Sequence, residues 1–209
     1  VGLRSEQMGL FTPAQLSGLG SEQVSGLLSG QLNALQIGQV RALLPVQVGG
    51  LKGEQLSALD MARVTALMTG QLQALKPVQI GALTTQQMEW LESVQLSGLG
   101  VGQVRLLTLE QLQAIQTQDV RMLGSAQVFG LLSEQVVALT SGQVRALQTL
   151  QVGALGVGQV GVIETEDLRV FESAQMQALS TMQVKALTTT QLVGLRSEQM
   201  GLFTPAQLS

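Results

Sequence analysis

Apolar residues recur along the chain with a period of eight. Each unit carries Gln at a fixed position, followed directly by Val, Leu, Met or Ile, and by Leu, Ile or Phe four residues after the Gln. Gln occupies 23 of the 26 positions between Gln7 and Gln207, and the register never shifts; Arg63, Asp119 and Asp167 stand at the other three. Residues 1–209 are therefore predicted to form a single continuous array of about 26 octads.

An eight-residue period is incompatible with one long helix. Eight helical residues rotate by about 800°, so an apolar stripe would shift by about 80° in each octad and wind around the helix. The 24 Gly and four Pro residues also disfavour a long helix. Each octad must therefore contain its own helix start and its own break.

The start of each helix is encoded around the Gln. Thr188 stands three residues before Gln191, the spacing of a capping box in which the Gln side chain returns to the amide of the N-cap residue. Leu187 and Leu192 occupy the positions of the accompanying hydrophobic staple. Ser or Thr is also frequent at the next position, so either of the two can be the cap. A helix of about six residues should follow, ending at Ala or Gly, whose small size permits a tight turn.

Helices this short are unstable alone, so their apolar residues must be buried against other octads. The sequence predicts an all-α fold, a solenoid or spiral of very short helices with one helix per octad. The alternative is a β-solenoid with ladders of Gln. Enrichment in Ala, Gln, Gly and Leu argues against strands, which favour β-branched and aromatic residues.

A longer repeat overlies the octads. Residues 1–17 are identical to residues 193–209, an offset of 24 octads. Identity over a stretch of this length, among otherwise diverged octads, indicates duplication of a larger block. We therefore expect the chain to be a segment of a longer protein.

Composition argues against several classes of function. The net charge is −3 and the 11 basic residues are scattered singly, so neither nucleic acid nor an anionic membrane is expected as a partner. The chain contains no Cys and no His, which removes thiol chemistry and the commonest general base and metal ligand. No apolar run is long enough for a transmembrane segment. We expect no cofactor and no enzymatic activity.

The Gln series is the most specific feature of the sequence. An amide ladder can bind a ligand, but the structural interpretation is favoured: Gln starts helices and bridges adjacent units through both ends of its amide. Asp119 and Asp167 can serve a helix start by their charge, whereas Arg63 is not expected to do so comparably. The predicted helix-start residues include Gln7, Gln15, Gln23, Gln31, Gln39, Gln47, Gln55, Gln71, Gln191 and Gln199. The predicted core includes Val24, Leu27, Leu32, Leu35, Val40, Leu187, Leu192 and Leu195.

Two further features are candidates for binding. Glu164, Glu166, Asp167 and Glu172 form the one concentration of acidic residues, but their spacing matches no calcium loop, and a solvated face is favoured. Trp90 occupies a position that is usually Ala or Gly. It is a possible contact for a partner, although local packing is the favoured interpretation.

The octads resemble known repeats. LTTTQL at 187–192 and LTLEQL at 107–112 resemble repeats of very large bacterial surface or secreted, adhesin-like proteins. That resemblance implies an extracellular or cell-surface location. FTPAQL at 11–16 resembles the opening of TAL-effector repeats, but their longer period and the acidic net charge of this chain set that resemblance aside.

The leading functional hypothesis is a structural extracellular scaffold, a spacer or a self-assembling filament, because a repeated surface rich in neutral amides and hydroxyls repels itself weakly. Self-association would then use equivalent faces of the repeats. The alternative is an adhesin-type module that presents a regular face to carbohydrate, ice or protein. A glycan array and an ice-recrystallisation assay would separate these hypotheses.

Overall fold

The computed structural model describes residues 2 and 4–208. Each octad forms one short α-helix, and none of the described residues lies in a strand. The prediction of an all-α solenoid of very short helices is therefore confirmed, and the β-solenoid alternative is wrong.

Contacts between residues divide the chain into two compact units, residues 1–107 and 108–209. The helices of the first unit are α1 (Ser5–Met8), α2 (Pro13–Ser17), α3 (Ser21–Ser25), α4 (Ser29–Asn33), α5 (Ile37–Ala42), α6 (Pro45–Val48), α7 (Gly53–Ser57), α8 (Met61–Ala66), α9 (Thr69–Gln73), α10 (Pro77–Gly81), α11 (Thr85–Trp90), α12 (Ser93–Ser97) and α13 (Val101–Val104). Those of the second are α14 (Leu109–Ala114), α15 (Thr117–Val120), α16 (Ser125–Gly130), α17 (Ser133–Ala138), α18 (Ser141–Ala146), α19 (Thr149–Ala154), α20 (Val157–Val162), α21 (Thr165–Arg169), α22 (Ser173–Ala178), α23 (Thr181–Lys185), α24 (Thr189–Gly194), α25 (Ser197–Met200) and α26 (Pro205–Leu208).

The links between helices are made of extended backbone. After α5 ends at Ala42, Leu43 and Leu44 adopt φ/ψ of −59°/135° and −71°/149°, and Pro45 starts α6. No described residue, Gly included, has a positive φ. The chain therefore turns without a left-handed residue, so the small residues near the helix ends must serve another purpose.

Within each unit, a helix packs chiefly against the helix three octads along. In the first unit α2 contacts α5 and α6 contacts α9, and in the second α16 contacts α19 and α19 contacts α22. Hydrogen bonds between these layers span 25 to 31 residues, as from Asn33 to Ala58 and from Gln39 to Met8. One turn of the solenoid therefore takes between three and four octads.

Two apolar residues of each octad face the interior: the residue after the Gln and the residue four after it. Burying each such side chain favours folding by about 1.5–3 kcal/mol before the entropy of ordering the chain is counted. One predicted core residue differs, since Leu192 is only half-buried. In earlier octads this position is covered by residues of the following turn, and for Leu192 that turn would lie beyond residue 209. The predicted core residues that are buried are Val24, Leu27, Leu32, Leu35, Val40, Leu187 and Leu195.

Candidate functional site

The Gln side chains form a ladder of hydrogen bonds, for which Gln71 is representative. Its Oε1 accepts the backbone N–H of Met68 at 2.7 Å, three residues earlier. Its Nε2 donates to the carbonyls of Val40 at 2.8 Å and Leu43 at 2.6 Å, which lie 31 and 28 residues earlier. The side chain is 2% exposed, so one buried amide joins its own helix start to the preceding turn.

The same arrangement recurs along both units, and we call it the glutamine ladder. All 23 Gln of the series accept the N-cap amide, at 2.6 to 3.1 Å. The expectation that Gln bridges adjacent units is wrong in one respect, since its partners lie three to four octads back. Gln that donate to the carbonyl 28 residues earlier are Gln39, Gln47, Gln55, Gln71, Gln79, Gln87, Gln95, Gln103, Gln143, Gln151, Gln159, Gln175, Gln183, Gln191, Gln199 and Gln207.

The geometry explains why the position requires Gln. The side chain must offer one acceptor to the N-cap amide and two N–H groups to two separate carbonyls. Gln supplies both functions on one planar group, whereas Glu has no donor when ionised and Lys and Arg have no acceptor. A buried amide that lost one of these partners would leave a polar group unpaired, at a cost of about 1–3 kcal/mol.

The predicted capping box is present, but only its Gln half is general. Thr188 is the N-cap of α24, and its Oγ1 accepts the N–H of Gln191 at 3.2 Å. Gly156 caps α20 without any side chain, yet its N–H still donates to Gln159 Oε1 at 2.6 Å. The position rich in Ser and Thr is therefore the first helical residue, and the N-cap is the residue before it.

The first three Gln of the chain form only half of the ladder. Gln7, Gln15 and Gln23 accept their N-cap amides at 2.8 Å, yet their side chains are exposed, and their Nε2 atoms have no acceptor among the described residues. Complete rungs use carbonyls 28 and 31 residues before the Gln, and for these three Gln those positions would come before Val1. The other predicted helix-start residues, Gln31, Gln39, Gln47, Gln55, Gln71, Gln191 and Gln199, are buried.

Arg63 takes part in the bonds between turns, although it does not accept its N-cap amide as the Gln side chains do. Its Nε donates to the carbonyl of Leu35 at 2.9 Å, 28 residues earlier, as a Gln Nε2 would. Because Arg has no acceptor, the N-cap amide of Asp60 donates instead to Asn33 Oδ1 at 3.1 Å. Asp60 in turn accepts from the backbone N–H and Nη1 of Arg63. Arg63, Asp60 and Asn33 together thus make bonds of the kind that a single Gln makes in the other octads.

Comparison with known proteins identifies the repeat. Residues 64–101, 112–149 and 160–197 match the ALTTAQ repeat, and these segments cover more than half of the chain. The chain belongs to the ALTTAQ-repeat family. The starts of successive matches, at Val64, Leu112 and Val160, are six octads apart, so the three matches share one register. No curated protein matches the chain.

The letters of the ALTTAQ repeat correspond to the structural positions of one octad. Residues 186–191 read Ala-Leu-Thr-Thr-Thr-Gln. Leu187 is a buried core residue, Thr188 the N-cap, Thr189 the first helical residue and Gln191 the ladder residue. The motif therefore contains the residues that start one helix and the Gln that bonds this helix to the preceding turn.

Small residues set how closely successive turns of the ALTTAQ array approach. A Cβ built on Gly98 would lie against the side chain of Thr69, and one built on Gly194 against that of Thr165. Both pairs join the first helical residue of one octad to a residue in the next turn that stands three after a Gln. Ala and Gly are thus selected there for space between turns.

Trp90 occupies this close-approach position at the end of α11 and is half-buried. The register that pairs Thr69 with Gly98 places it opposite Met61, which replaces the usual Ser, Thr or Pro at the first position of α8. Two unusual residues therefore occupy corresponding positions of α8 and α11, which contact each other. This pairing supports the interpretation of Trp90 as a local packing residue.

The acidic residues predicted as a cluster have separate surroundings. Glu172 accepts from Arg145 at 3.3 Å, and Glu166 lies 3.7 Å from Arg169. Asp167 is 5% exposed and accepts from the hydroxyl of Ser141 at 2.6 Å, and Asp119 is equally buried. Among the residues that the structure describes, no three carboxylates lie close enough to hold a metal ion.

Replacing Asp167 with Gln should stabilise the second unit. Asp167 stands at a ladder position, and the register of the complete rungs assigns the carbonyls of Leu139 and Val136 to it. A Gln can donate to both, so we expect a gain of about 1 kcal/mol in the free energy of unfolding. Glu166→Gln, which removes the same charge at an exposed neighbour, is the control for urea denaturation followed by circular dichroism. An equal effect of the two changes would attribute the gain to charge alone.

Charged side chains are sorted by position within the ALTTAQ octad. Seven of the 14 acidic residues directly precede the ladder position, and six of the 11 basic residues lie two residues after it. Acidic side chains at helix starts and basic side chains at helix ends both interact favourably with the helix dipole. At the start of α14, hydrogen bonds from the backbone amide of Glu110 and then from the Thr108 hydroxyl lower the pKa of Glu110.

A groove of about 740 Å³ lies on the second unit. Its lining includes Arg121, Arg145, Gln148 and Thr149. Arg145 is paired with Glu172, whereas the Arg121 guanidinium has no acceptor among the described residues. No described helix is long and apolar enough to cross a membrane.

Proposed function

We propose that this ALTTAQ-repeat chain is a structural scaffold, a spacer built by adding octads along one axis. The observation that carries the proposal is the glutamine ladder. The most regular polar side chain of the sequence is used to hold one turn on the next, as Gln71 does with Val40 and Leu43. Each octad thus contributes length and stability rather than chemistry, and we assign no catalytic activity to the array.

The surface supports an extracellular or cell-surface location for this scaffold. Charged residues make up 12% of the chain, and the exposed positions carry many neutral amides and hydroxyls. Such a surface has weak charge repulsion, which favours association of arrays. Protease treatment of intact source cells, with a cytosolic protein as the control, tests the location. Complete protection of the chain until the cells are lysed would contradict it.

Varying the number of octads tests the spacer function. Arrays of 13, 26 and 39 octads of this sequence should have maximum dimensions that rise by a constant amount per octad in small-angle X-ray scattering, because each turn stacks on the last. Unfolding free energy should also rise with octad number. Dimensions that grow only as the cube root of length would instead indicate a globular arrangement and reject the spacer.

A second candidate, adhesion to an external ligand, is favoured by the groove of the second unit. Arg121 is available there to a carboxylate or sulfate of an acidic glycan, and Gln148 and Thr149 can bond to hydroxyls. Binding to a glycan array should be lost in Arg121→Ala. It should persist in Arg169→Ala, which alters the same octad position outside the groove lining. Equal binding by both variants would exclude this groove.

A further inference from the structure

The groove of the second unit has three charged side chains in its lining, and their situations differ. They are Arg121, Arg145 and Glu172. Arg145 Nε lies 3.3 Å from Glu172 Oε1. Within the described part of the chain, no carboxylate pairs with the Arg121 guanidinium. The groove therefore combines a cation that is open to a ligand with a cation that a carboxylate already holds.

The bond between Arg145 and Glu172 is weak enough for a ligand to replace it. The two side chains are 66% and 64% exposed. An exposed ion pair contributes little to stability, because solvent screens it and because ordering two long side chains costs entropy. A carboxylate that meets a guanidinium with both oxygens binds it better than a single contact does. A ligand carboxylate in the groove can therefore compete with Glu172 for Arg145.

The two arginines are placed for two acidic groups rather than one. Arg121 and Arg145 each stand two residues after a ladder position, in or beside α15 and α18, and these two helices pack against each other. Packed helices lie about 8–10 Å apart. The groove thus suits a chain that carries acidic groups at intervals, with one group on each turn of the solenoid.

The rest of the lining favours a sugar chain over a peptide. Gln118, Gln148 and Thr149 present exposed amides and a hydroxyl, which can bond to sugar hydroxyls. None of the large exposed apolar residues of the described chain belongs to this lining. Peptide partners usually depend on apolar or aromatic anchors, and this groove offers no exposed apolar residue to receive them.

The first unit contains a groove in the same register, ten octads earlier, that serves as an internal comparison. Arg41 corresponds there to Arg121 and Glu92 to Glu172, but Thr65 stands in place of Arg145. This groove also includes the exposed side chain of Met68. It therefore has one arginine and an apolar wall where the second unit has two arginines.

We propose that the groove of the second unit binds a linear uronic-acid polysaccharide through two carboxylates, one on Arg121 and one on Arg145, and that Glu172 competes for Arg145. The proposal rests on the adhesion candidate of the proposed function, and it names the ligand and the residue that limits its affinity. A ligand with a single carboxylate occupies Arg121 and leaves the ion pair intact. A ligand with several carboxylates must displace Glu172.

Glu172→Gln tests this competition, with titration calorimetry against an oligogalacturonate and against monomeric galacturonate. The change frees Arg145 but keeps the backbone N–H of residue 172, which donates to Gln175 Oε1 at 2.8 Å. Affinity for the oligomer should rise about fivefold, as expected when an exposed ion pair no longer competes. Affinity for the monomer should stay the same.

Glu164→Gln is the matched control, because Glu164 is also an exposed N-cap residue but lies outside the groove lining. It removes the same charge and should leave both affinities unchanged. An equal gain in the two variants would attribute the effect to net charge and overturn the assigned role of Glu172.

Arg145→Ala tests the second point of contact. Affinity for the oligomer should fall by about tenfold, the loss expected for a charge-assisted contact, while affinity for the monomer is retained. Arg41→Ala removes an arginine from the groove of the first unit and should change neither. Native affinity of Arg145→Ala for the oligomer would reject binding at two points.

An oligoglutamate of equal charge tests the class of ligand. It cannot use the bonds that Gln148 and Thr149 offer to sugar hydroxyls, so it should bind about tenfold more weakly. Equal binding would assign the groove to an acidic protein segment and reject the polysaccharide.

These results can be separated from a failure of the adhesion candidate. If the native chain binds the oligomer and Arg121→Ala does not, but the changes at 145 and 172 have no effect, adhesion through the groove stands and binding at two points is wrong. If the native chain binds neither the oligomer nor the monomer, adhesion to acidic glycans is rejected together with this inference. The spacer function is then decided by the series of array lengths alone.

Discussion

Gln71→Leu should lower the free energy of unfolding of the first unit by about 3 kcal/mol, because each buried group left unpaired costs about 1–3 kcal/mol. The change keeps the volume nearly constant but removes the bonds that the described part of the chain makes to the Leu43 carbonyl and the Met68 amide. Urea denaturation followed by the fluorescence of Trp90, the single Trp of the chain, measures the loss within this unit.

Gln23→Leu is the matched control, because the side chain of Gln23 has the same octad position but, among the described residues, bonds only to the N-cap amide of Gly20. Water can replace that bond at an exposed site, so we expect a loss of about 0.5 kcal/mol. Gln71→Glu separates acceptor from donor: it keeps an acceptor for Met68 but sets a carboxylate against two carbonyls. Burial there raises the pKa of the new carboxyl group, so stability should recover as the pH falls. Equal effects of the Leu changes at 71 and 23 would refute the importance of the inter-turn bonds.

Gly49→Ala should destabilise the first unit by about 1–3 kcal/mol, the usual cost of overpacking. A Cβ at Gly49 would lie 2.7 Å from the carbonyl oxygen of Ala74 and 3.3 Å from that of Pro45, so the backbone of the neighbouring turn must shift. Thermal and urea denaturation of the two proteins measure the loss.

Gly81→Ala provides the comparison at the same octad position, four octads further along. Its Cβ would meet no atom within 4 Å. Reduced freedom of the unfolded chain should then stabilise the protein by about 0.4–1 kcal/mol. The two substitutions thus have opposite expected signs, and a loss of stability in both would show that the clash with Ala74 does not decide the result.

The helix in each octad was predictable from sequence because its causes are local. The spacing from Thr188 to Gln191 predicts the capping box, and both bonds are present. Apolar residues at two fixed positions predict the core, and the incompatibility of an eight-residue period with a long helix predicts the break. These features depend on residues within one octad.

Bridging by Gln was predicted from sequence, but the distance that it spans was not, since its acceptors are backbone carbonyls, which leave no signal in sequence. A strict octad repeat also looks the same whether Gln reaches one octad back or four. Arg63 shows the same limit: Asn33, which compensates for it at the Asp60 amide, lies 27 residues before Asp60 and has no local relation to it.

The direction of the ladder has a consequence for how the chain folds. The side chain of Gln71 bonds to residues 3, 28 and 31 positions before it, and the side chains of the other complete rungs likewise bond to earlier residues. A newly made octad can therefore dock on finished turns without waiting for any later residue, and no contact needs a long excursion of unfolded chain. Octads should therefore fold one after another from the amino end, at the pace of synthesis or export. Little apolar surface should be exposed at any moment.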